Sequence, residues 1–160
     1  MVVVNVGEGD AAAPLSDAAR AALDAAGLTG IAMCAQIEME IAGLDSADRG
    51  GFLSDLGLTE PARDRFIQAA YGLLDLISFL TSGEDEVRAW PIRRNTPAVR
   101  AAGKIHSDIE RGFIRAEVVA YDDFVRLGSD AKCREAGKLR LEGKDYLVAD
   151  GDIIHFRFNV

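Results

Sequence analysis

The first forty residues place a helical pattern between two short apolar runs. The run "VVV" at 2–4 ends in Asn5, and the second run, "GIAMCA", occupies 30–35. Between them, Ser16 is typical of a helix N-cap and Gly27 is typical of a helix C-terminus. Strand, helix and strand in this order predict a parallel βαβ unit. Because two strands alone make no stable doubly wound domain, we expect this unit to be the closing part of a larger α/β domain.

The next segment predicts two helices. The first, "DSADRGGFLSDLGL", ends at Gly57, and the second opens at Thr59 with Pro61 in its first turn. In the second helix an apolar stripe recurs at helical spacing, which predicts a face packed into the core. The stripe consists of Phe66, Ala70, Leu73 and Ile77.

From residue 76 onward the pattern becomes β-rich around one main helix. Two β-rich runs flank a predicted hairpin turn at Ser82 to Asp85. Thr96 is expected to cap a helix that has Pro97 at its first position and ends at Gly112. Beyond it the pattern predicts a strand, a short helix and two further strand regions, at 113–121, 122–127, 138–148 and 153–160. This order fits a β-grasp, ubiquitin-like fold.

In the last of these strands, apolar and polar residues alternate. A period of two places Phe156 and Phe158 on the core face and leaves Arg157 exposed. The fold class expected for the whole chain is therefore α+β. A partial α/β domain with additional helices occupies 1–75, and a β-grasp domain occupies 76–160.

The predicted helix after Pro97 is amphipathic if it runs unbroken to Arg111. At 100° per residue, Arg100, Lys104 and Arg111 fall within about 40° of one another. The opposite side is apolar and is expected to face the core; it carries Ala98, Ala102, Ile105 and Ile109. In such a helix His106 and Asp108 point about 200° apart and cannot pair, so a structural or capping contact is expected for His106.

Composition and charge narrow the functional classes. The chain is 49% hydrophobic and 28% charged, and no apolar run approaches the roughly 20 residues of a membrane span. Its start lacks the basic region of a secretion signal, and Cys34 and Cys133 form no C-x-x-C pattern. These features favour a cytoplasmic protein with reduced, buried thiols and no contact with membranes.

The net charge of −8 is unevenly distributed. Residues 1–82 carry 4 basic and 12 acidic side chains, whereas residues 83–160 carry 14 of each. The segment 88–115 contains seven basic residues and only two acidic ones, Asp108 and Glu110. Solvated charge is one interpretation of this patch, and contact with RNA is the other.

Two long stretches resemble the TGS domain of the YchF-type Obg-like ATPases. They are "AAGKIHSDIERGFIRAEVVAYDDF" and "EAGKLRLEGKDYLVADGDIIHFRFNV". The segments "VVVNVGE", "LGLTEPARDRFIQAAYGLLDLISFLTSG" and "EVRAWPI" extend the likeness over essentially the whole chain. The resemblance implies a ribosome-binding P-loop ATPase that uses ATP or GTP with Mg²⁺. It also implies that 76–160 is a TGS domain and that 1–75 is the C-terminal part of the nucleotide-binding domain.

In such proteins an Asn-x-x-Glu segment replaces the Asn-Lys-x-Asp that reads guanine. Here the segment is Asn5, Val6, Gly7 and Glu8. A guanine-reading Asp accepts hydrogen bonds from a ring N–H and an amino group that adenine lacks, so adenine would leave it desolvated without a partner. A different carboxylate length is therefore expected to relax the preference toward ATP.

The second base-contacting loop of the family reads Ser-Ala-Lys before an acidic helix. The matching residues of this chain are Cys34, Ala35 and Gln36, followed by Glu38 and Glu40. Contacts from backbone amides are expected at this loop. For RNA or ribosome docking, the resemblance favours the basic residues Arg100, Lys104, Arg111 and Arg115 of the TGS segment.

No G-x-x-x-x-G-K-[ST] phosphate loop occurs in the 160 residues. We therefore expect the chain by itself to be inactive and to hold no nucleotide tightly, with the N-terminal phosphate-binding region of the family as its missing partner. The alternative is a stand-alone TGS-type interaction module that binds RNA or a protein. A thiol enzyme would need a base beside Cys34 or Cys133, and the sequence offers none.

Overall fold

A computed structural model describes residues 1–83 and 86–159 as a mixed α/β structure. The chain divides into two compact units, Met1–Leu73 and Leu74–Val160. The helices found in the described residues are all too short or too polar to cross a bilayer.

The first unit contains two strands and four helices. They are β1 Val2–Asn5, α1 Asp17–Ala25, β2 Gly30–Met33, α2 Ala35–Gly43, α3 Ser46–Asp55 and α4 Ala62–Leu73, with a single 3₁₀ turn at Glu8–Asp10 after β1. The strands pair in parallel from Val2 opposite Gly30 to Asn5 opposite Met33. This arrangement is the βαβ unit that the sequence predicts.

Local signals fix three helix ends of this unit. The Ser16 hydroxyl accepts a hydrogen bond from the Ala19 N–H at 3.3 Å, which confirms the predicted N-cap of α1. Gly27 and Gly57 follow α1 and α3 with φ of +65° and +68°, a conformation that glycine adopts without strain. Both predicted helix ends are thus confirmed.

The start of α4 is capped from a distance. We predicted that Thr59 opens this helix, but the helix begins at Ala62. The Glu38 carboxylate, on α2, accepts hydrogen bonds from the N–H groups of Ala62 at 2.7 Å and Arg63 at 3.3 Å. A carboxylate suits this position because the first N–H groups of a helix lack partners within it.

The predicted apolar stripe on α4 is not a core face. Phe66 is 39% exposed and Leu73 is 54% exposed, while Ile77 belongs to the following strand. In α4 only Ala62 is buried. The stripe prediction is wrong, because Ile77 lies beyond the end of α4 and follows strand periodicity, while the helix face with Phe66 and Leu73 is exposed. The buried cluster of this unit comes from other segments: Ala11, Cys34, Ile37, Ile41 and Leu53.

The second unit is a five-stranded mixed sheet with short helices. Its elements are β3 Leu76–Ser82, β4 Val87–Arg93, α5 Ala98–Ile105, α6 Ser107–Arg111, β5 Phe113–Ala120, α7 Tyr121–Leu127, α8 Asp130–Glu135, β6 Arg140–Glu142 and β7 Asp152–Phe158. The strand order is β4-β3-β7-β5-β6. Strand β7 lies parallel to β3 and antiparallel to β5.

The structure shortens one predicted strand and describes one predicted turn only in part. The strand expected at 138–148 is confined to Arg140–Glu142, and Leu147 forms only an isolated bridge with Pro97. The predicted turn at Ser82 to Asp85 lies partly outside the described residues, because Glu84 and Asp85 are not among them. The flanking strands β3 and β4 pair antiparallel, as a hairpin requires.

One face of this sheet packs against α5. Ala98, Ala101 and Ala102 are fully buried there, and Ile105 and Ile109 pack against the same cluster. The apolar side predicted for this helix is therefore confirmed. On the sheet, the rings of Phe79 and Phe156 meet edge to face with centroids 5.9 Å apart.

The predicted single helix breaks at His106. The φ and ψ of this residue, −159° and 144°, are extended and separate α5 from α6. Its ring Nδ1 accepts a hydrogen bond from the Asp108 N–H at 3.2 Å and lies 3.5 Å from Asp108 Oδ2. The capping contact is confirmed, whereas the expectation that the two residues cannot pair is wrong because it assumed a continuous helix.

The N-terminus of α5 also differs from the prediction. Pro97 precedes the helix instead of occupying its first position. The Thr96 hydroxyl donates to the Arg93 carbonyl at 2.6 Å, so it caps nothing.

The last strand follows its predicted alternation only in part. Phe156 is buried and Arg157 is exposed, as expected, but Phe158 is 43% exposed. Phe158 pairs with Phe113 next to a register shift between Phe113 and Arg115. The prediction that Phe158 is a core residue is wrong because the regular pairing ends at this shift.

Candidate functional site

The two predicted base-reading segments meet at one edge of the first unit. Because β1 and β2 are parallel, their carboxyl ends lie side by side. The Asn5 side-chain oxygen Oδ1 accepts a hydrogen bond from the Ala35 N–H at 3.0 Å. The Val6 N–H donates to the Met33 carbonyl at 2.9 Å. We call this region, Asn5–Glu8 with Cys34–Gln36, the carboxyl edge.

The contact of Asn5 has a simple local cause. Ala35 is the first residue of α2, and its N–H has no partner within the helix. Cys34 occupies the N-cap position but makes no side-chain cap, and it is only 5% exposed. Asn5 therefore supplies, from the neighbouring strand, the cap that the helix itself lacks.

The other side chains of the carboxyl edge are either packed against the buried cluster or exposed to solvent. Val6 packs against the buried cluster that contains Cys34. Glu8 begins the 3₁₀ turn and is exposed, and Gln36 is exposed with its amide 3.5 Å from the Glu40 carboxylate. The edge thus presents the exposed Glu8 carboxylate and the start of α2 to solvent. These are hydrogen-bonding groups of the kind that read a base.

The four predicted RNA-contacting residues do not form a single face. Arg100 lies on α5 and pairs with Glu110 at 2.7 Å, and Arg111 lies on α6 and pairs with Asp108. Lys104 forms no ion pair with any residue that the structure describes.

Arg115 lies on the opposite side of the sheet. It is two residues from Glu117 in β5, and the intervening Ala116 is buried toward α5. Because strand side chains alternate, Arg115 and Glu117 point away from α5.

A groove of about 540 Å³ lies beside α5. Three cations line it, Arg93 from β4 with Arg100 and Lys104 from α5. Gly103 and Glu110 line the same space. We call it the α5 groove. Arg93 is not among the predicted RNA-contacting residues, and its one signal in the sequence is its place in the basic segment 88–115.

On the sheet face turned away from α5, the Glu117 carboxylate forms ion pairs with two arginines. Its carboxylate accepts from Arg157 Nε at 3.1 Å and Nη2 at 3.2 Å, and Arg134 lies 3.6 Å away. The hydrogen bond from Arg157 lowers the pKa of Glu117, and the charge of Arg134 adds to this effect. Arg115 stands directly opposite Arg157 in the strand pairing.

A buried polar cluster surrounds Asp152, and no motif in the sequence indicates it. Asp152 is 2% exposed, and its carboxylate accepts from Tyr146 Oη at 2.7 Å, the Ala149 N–H at 2.8 Å and Arg140 Nη2 at 3.3 Å. Burial and the hydrogen bond to Asp152 raise the pKa of Tyr146. The cluster ties the segment before β7 to the sheet, and its chemistry is structural.

The two cysteines are free and buried, as expected. Burial raises the pKa of the Cys133 thiol, which makes it a poor nucleophile. Among the described residues, no three His, Cys, Asp or Glu side chains are grouped to hold a metal ion.

Comparison with known proteins gives consistent similarities. A family model described as "YchF-GTPase_C: Protein of unknown function (DUF933)" matches residues 76–159. The chain is 50% identical over 161 aligned positions to "Ribosome-binding ATPase YchF" of Pasteurella multocida, covering 100% of this chain and 44% of that protein. It is 55% identical over 130 residues to the Bacillus subtilis protein of the same name, covering 81% of this chain and 36% of that protein.

A solved structure shows the same similarity in three dimensions. The structure titled "Structure of the Schizosaccharomyces pombe YchF GTPase" matches with a TM-score of 0.82 and 32% identity, covering 97% of this chain and 42% of that one. The chain therefore spans less than half the length of these relatives.

Proposed function

Because the chain belongs to the YchF family, we propose that it supplies two parts of a ribosome-associated ATPase. Residues 1–75 contribute the base-recognising edge of the nucleotide site, and residues 76–160 form a TGS domain that docks on the ribosome. The observation that carries the first part is the hydrogen bond between Asn5 and the Ala35 N–H.

The carboxyl edge suits recognition of a base. Asn5 joins the two segments that the family uses for this purpose, and its bond to Ala35 holds them in a fixed register. Exposed Glu8 is the group that would distinguish adenine from guanine. Its carboxylate is one methylene longer than that of Asp, so its oxygens stand at a different distance from the base. This supports ATP as the preferred nucleotide and GTP as the weaker one.

The described residues fit the base but not the phosphates. Phosphoryl transfer needs Mg²⁺, backbone amides and a Lys around the β- and γ-phosphates. The 160 residues contain no G-x-x-x-x-G-K-[ST] loop to supply these amides and this Lys. Binding of ATP with Mg²⁺ therefore requires a phosphate-binding region besides the carboxyl edge.

The strand order supports a TGS-type β-grasp for the second part. Numbered within this unit, the strands lie in the order 2-1-5-3-4, with α5 across one face. The last strand is central and parallel to the first.

Docking on ribosomal RNA or tRNA is proposed for this same unit. The relatives are named ribosome-binding ATPases, and the unit carries the basic residues Arg100, Lys104, Arg111 and Arg115. Nucleic-acid interfaces are more positively charged than protein interfaces, so these residues are candidate phosphate contacts.

Nucleotide titration of a chimera tests the base-recognition part. The chain is joined behind the N-terminal region of the Pasteurella multocida relative, and ATP and GTP affinities are measured. Asn5→Ala should weaken both nucleotides, whereas Tyr71→Phe, on α4, should change neither. Equal affinities in Asn5→Ala and the parent chimera would refute a role for the carboxyl edge.

The alternative is an interaction module whose first unit is only a scaffold. This second function would be favoured if the affinity for ribosomes were the same with and without bound nucleotide and Asn5→Ala left the nucleotide affinities unchanged.

A further inference from the structure

The α5 groove contains an anion supplied by the protein itself. Glu110, on α6, places its carboxylate oxygen Oε1 2.7 Å from Arg100 Nη1. Both residues line the groove together with Arg93 and Lys104. The Glu110 side chain is 30% exposed and the Arg100 side chain 71% exposed, so the pair lies at the open side of the groove.

A glycine makes room for this carboxylate. Gly103 lies within α5, where glycine weakens a helix relative to alanine. A Cβ at this position would lie only 2.7 Å from the carboxylate carbon of Glu110. The missing Cβ therefore lets Glu110 lie across the helix and reach Arg100.

The helix break at His106 is the second requirement. In one straight helix, residues 103 and 110 would be separated by about 10 Å along the axis. The extended conformation of His106 turns α6 back, and the two helices pack against each other. Three features, the glycine, the break and the arginine, thus place one carboxylate in a cationic groove.

We propose that the α5 groove binds the phosphate backbone of RNA and that Glu110 occupies the position of a phosphate until RNA displaces it. This inference rests on the proposed docking function and names its surface. Arg93, Arg100 and Lys104 contribute three positive charges, and among the described residues that line the groove Glu110 alone is acidic. Displacement of Glu110 leaves Arg100 free to donate its planar pair of N–H groups to a phosphate.

RNA fits this groove better than an acidic protein segment does. The three cations are exposed, whereas Ile92 at the base of the groove is buried. A ligand therefore meets three charges beside exposed Pro91 and half-buried Leu76, on a lining that is more polar than apolar. Protein interfaces usually bury an apolar or aromatic centre, while nucleic-acid interfaces are polar and positively charged.

The experiment measures binding of a labelled single-stranded oligoribonucleotide to the 160-residue chain by fluorescence anisotropy across salt concentrations. Glu110→Gln should tighten binding about two- to fivefold, the range expected for removal of one exposed competing charge. Gly103→Ala should also tighten binding, because the added Cβ moves Glu110 away from Arg100. A purely structural Glu110 would give no gain in either variant.

The opposite result is expected when groove cations are removed. The double variant Arg93→Gln, Lys104→Gln should bind more weakly and lower the salt slope by about 1.4, at roughly 0.7 per lost phosphate contact. Lys132→Gln, on α8 and outside the groove lining, is the matched control and should bind as the parent does. Circular dichroism checks that each variant is folded.

The outcomes separate this inference from the proposed function. Binding by the parent chain that none of the groove variants alters would overturn the groove but leave docking intact. Absence of binding to both the oligoribonucleotide and purified ribosomes would refute docking itself. Equally tight, groove-dependent binding of a polyglutamate peptide would show a site for acidic protein segments and overturn the assignment to RNA.

Discussion

The Tyr146 hydroxyl donates a hydrogen bond of 2.7 Å to Asp152, the one charged residue in the buried core of the described chain. Arg140 and the Ala149 N–H donate to the same carboxylate. A buried carboxylate is tolerated only when it is paired and hydrogen-bonded, so each donor offsets part of its desolvation.

Removal of the tyrosine hydroxyl should weaken this cluster. We expect Tyr146→Phe to lower the free energy of unfolding by about 1.5 to 3 kcal/mol, the range for hydrogen bonds to charged groups. Urea denaturation measures the change. Tyr121→Phe is the control, because Tyr121 is 51% exposed and should be neutral. Equal losses in both variants would contradict the role given to the Asp152 contact.

Phe156 and Phe158 should differ sharply in their contributions. Phe156 is 8% exposed and contacts Phe79 and Phe113, so Phe156→Ala should cost about 3 to 5 kcal/mol as a large-to-small core change. Phe158 is 43% exposed, and Phe158→Ala should cost clearly less. Thermal melts of the two variants provide the comparison. A larger loss for Phe158 would mean that the strand has the opposite orientation.

The ion pair of Glu117 predicts a pH dependence of stability. Its folded pKa lies below the unfolded value of about 4.3, so its contribution is complete above that pH and disappears as the pH falls through the folded pKa. Glu117→Gln should therefore be less stable than the parent at pH 7, and the difference should shrink toward pH 3. Stability curves that stay parallel over this range would argue against the Arg157 pairing as its source.

The carboxyl edge should set base preference in a chimera that also carries the phosphate-binding region. Val6→Lys combined with Glu8→Asp recreates Asn-Lys-x-Asp and should shift preference from ATP toward GTP. Competition of ATP and GTP for the chimera measures the shift. An unchanged ratio would mean that base choice lies elsewhere.

The chain by itself should not turn over nucleotide. Base contacts contribute only a few hydrogen bonds of about 1 kcal/mol each, and they position no phosphate. We therefore expect no hydrolysis of ATP or GTP by the purified 160 residues and at most weak ATP binding. Phosphate release above that of a mock purification would show that the chain is catalytic.

Features with local causes could be predicted from the sequence. The caps at Ser16, Gly27 and Gly57 depend on neighbouring residues, and all three were identified correctly. Two of the three buried alanines of α5, Ala98 and Ala102, followed from helical spacing. The meeting of Asn5–Glu8 with Cys34–Gln36 follows from parallel strands, whose carboxyl ends share an edge.

Features that depend on distant partners could not be predicted in this way. Glu38 caps α4 from a different helix, and nothing near Ala62 in the sequence indicates it. The break at His106 depends on packing of α6 against α5, whereas helical periodicity alone continues through it. Arg115 was grouped with the helix cations through the basic segment 88–115 and the family resemblance, although strand alternation turns it to the other face.

The position of β7 imposes an order on folding during synthesis. The sheet consists of two ribbons, β3 with β4 and β5 with β6, and only the last strand joins them. Leu80 meets its partner Ile153 only after nearly the whole unit has left the ribosome. Until β7 emerges, the edges of β3 and β5 with which it pairs stay open, and open strand edges favour aggregation of the nascent unit.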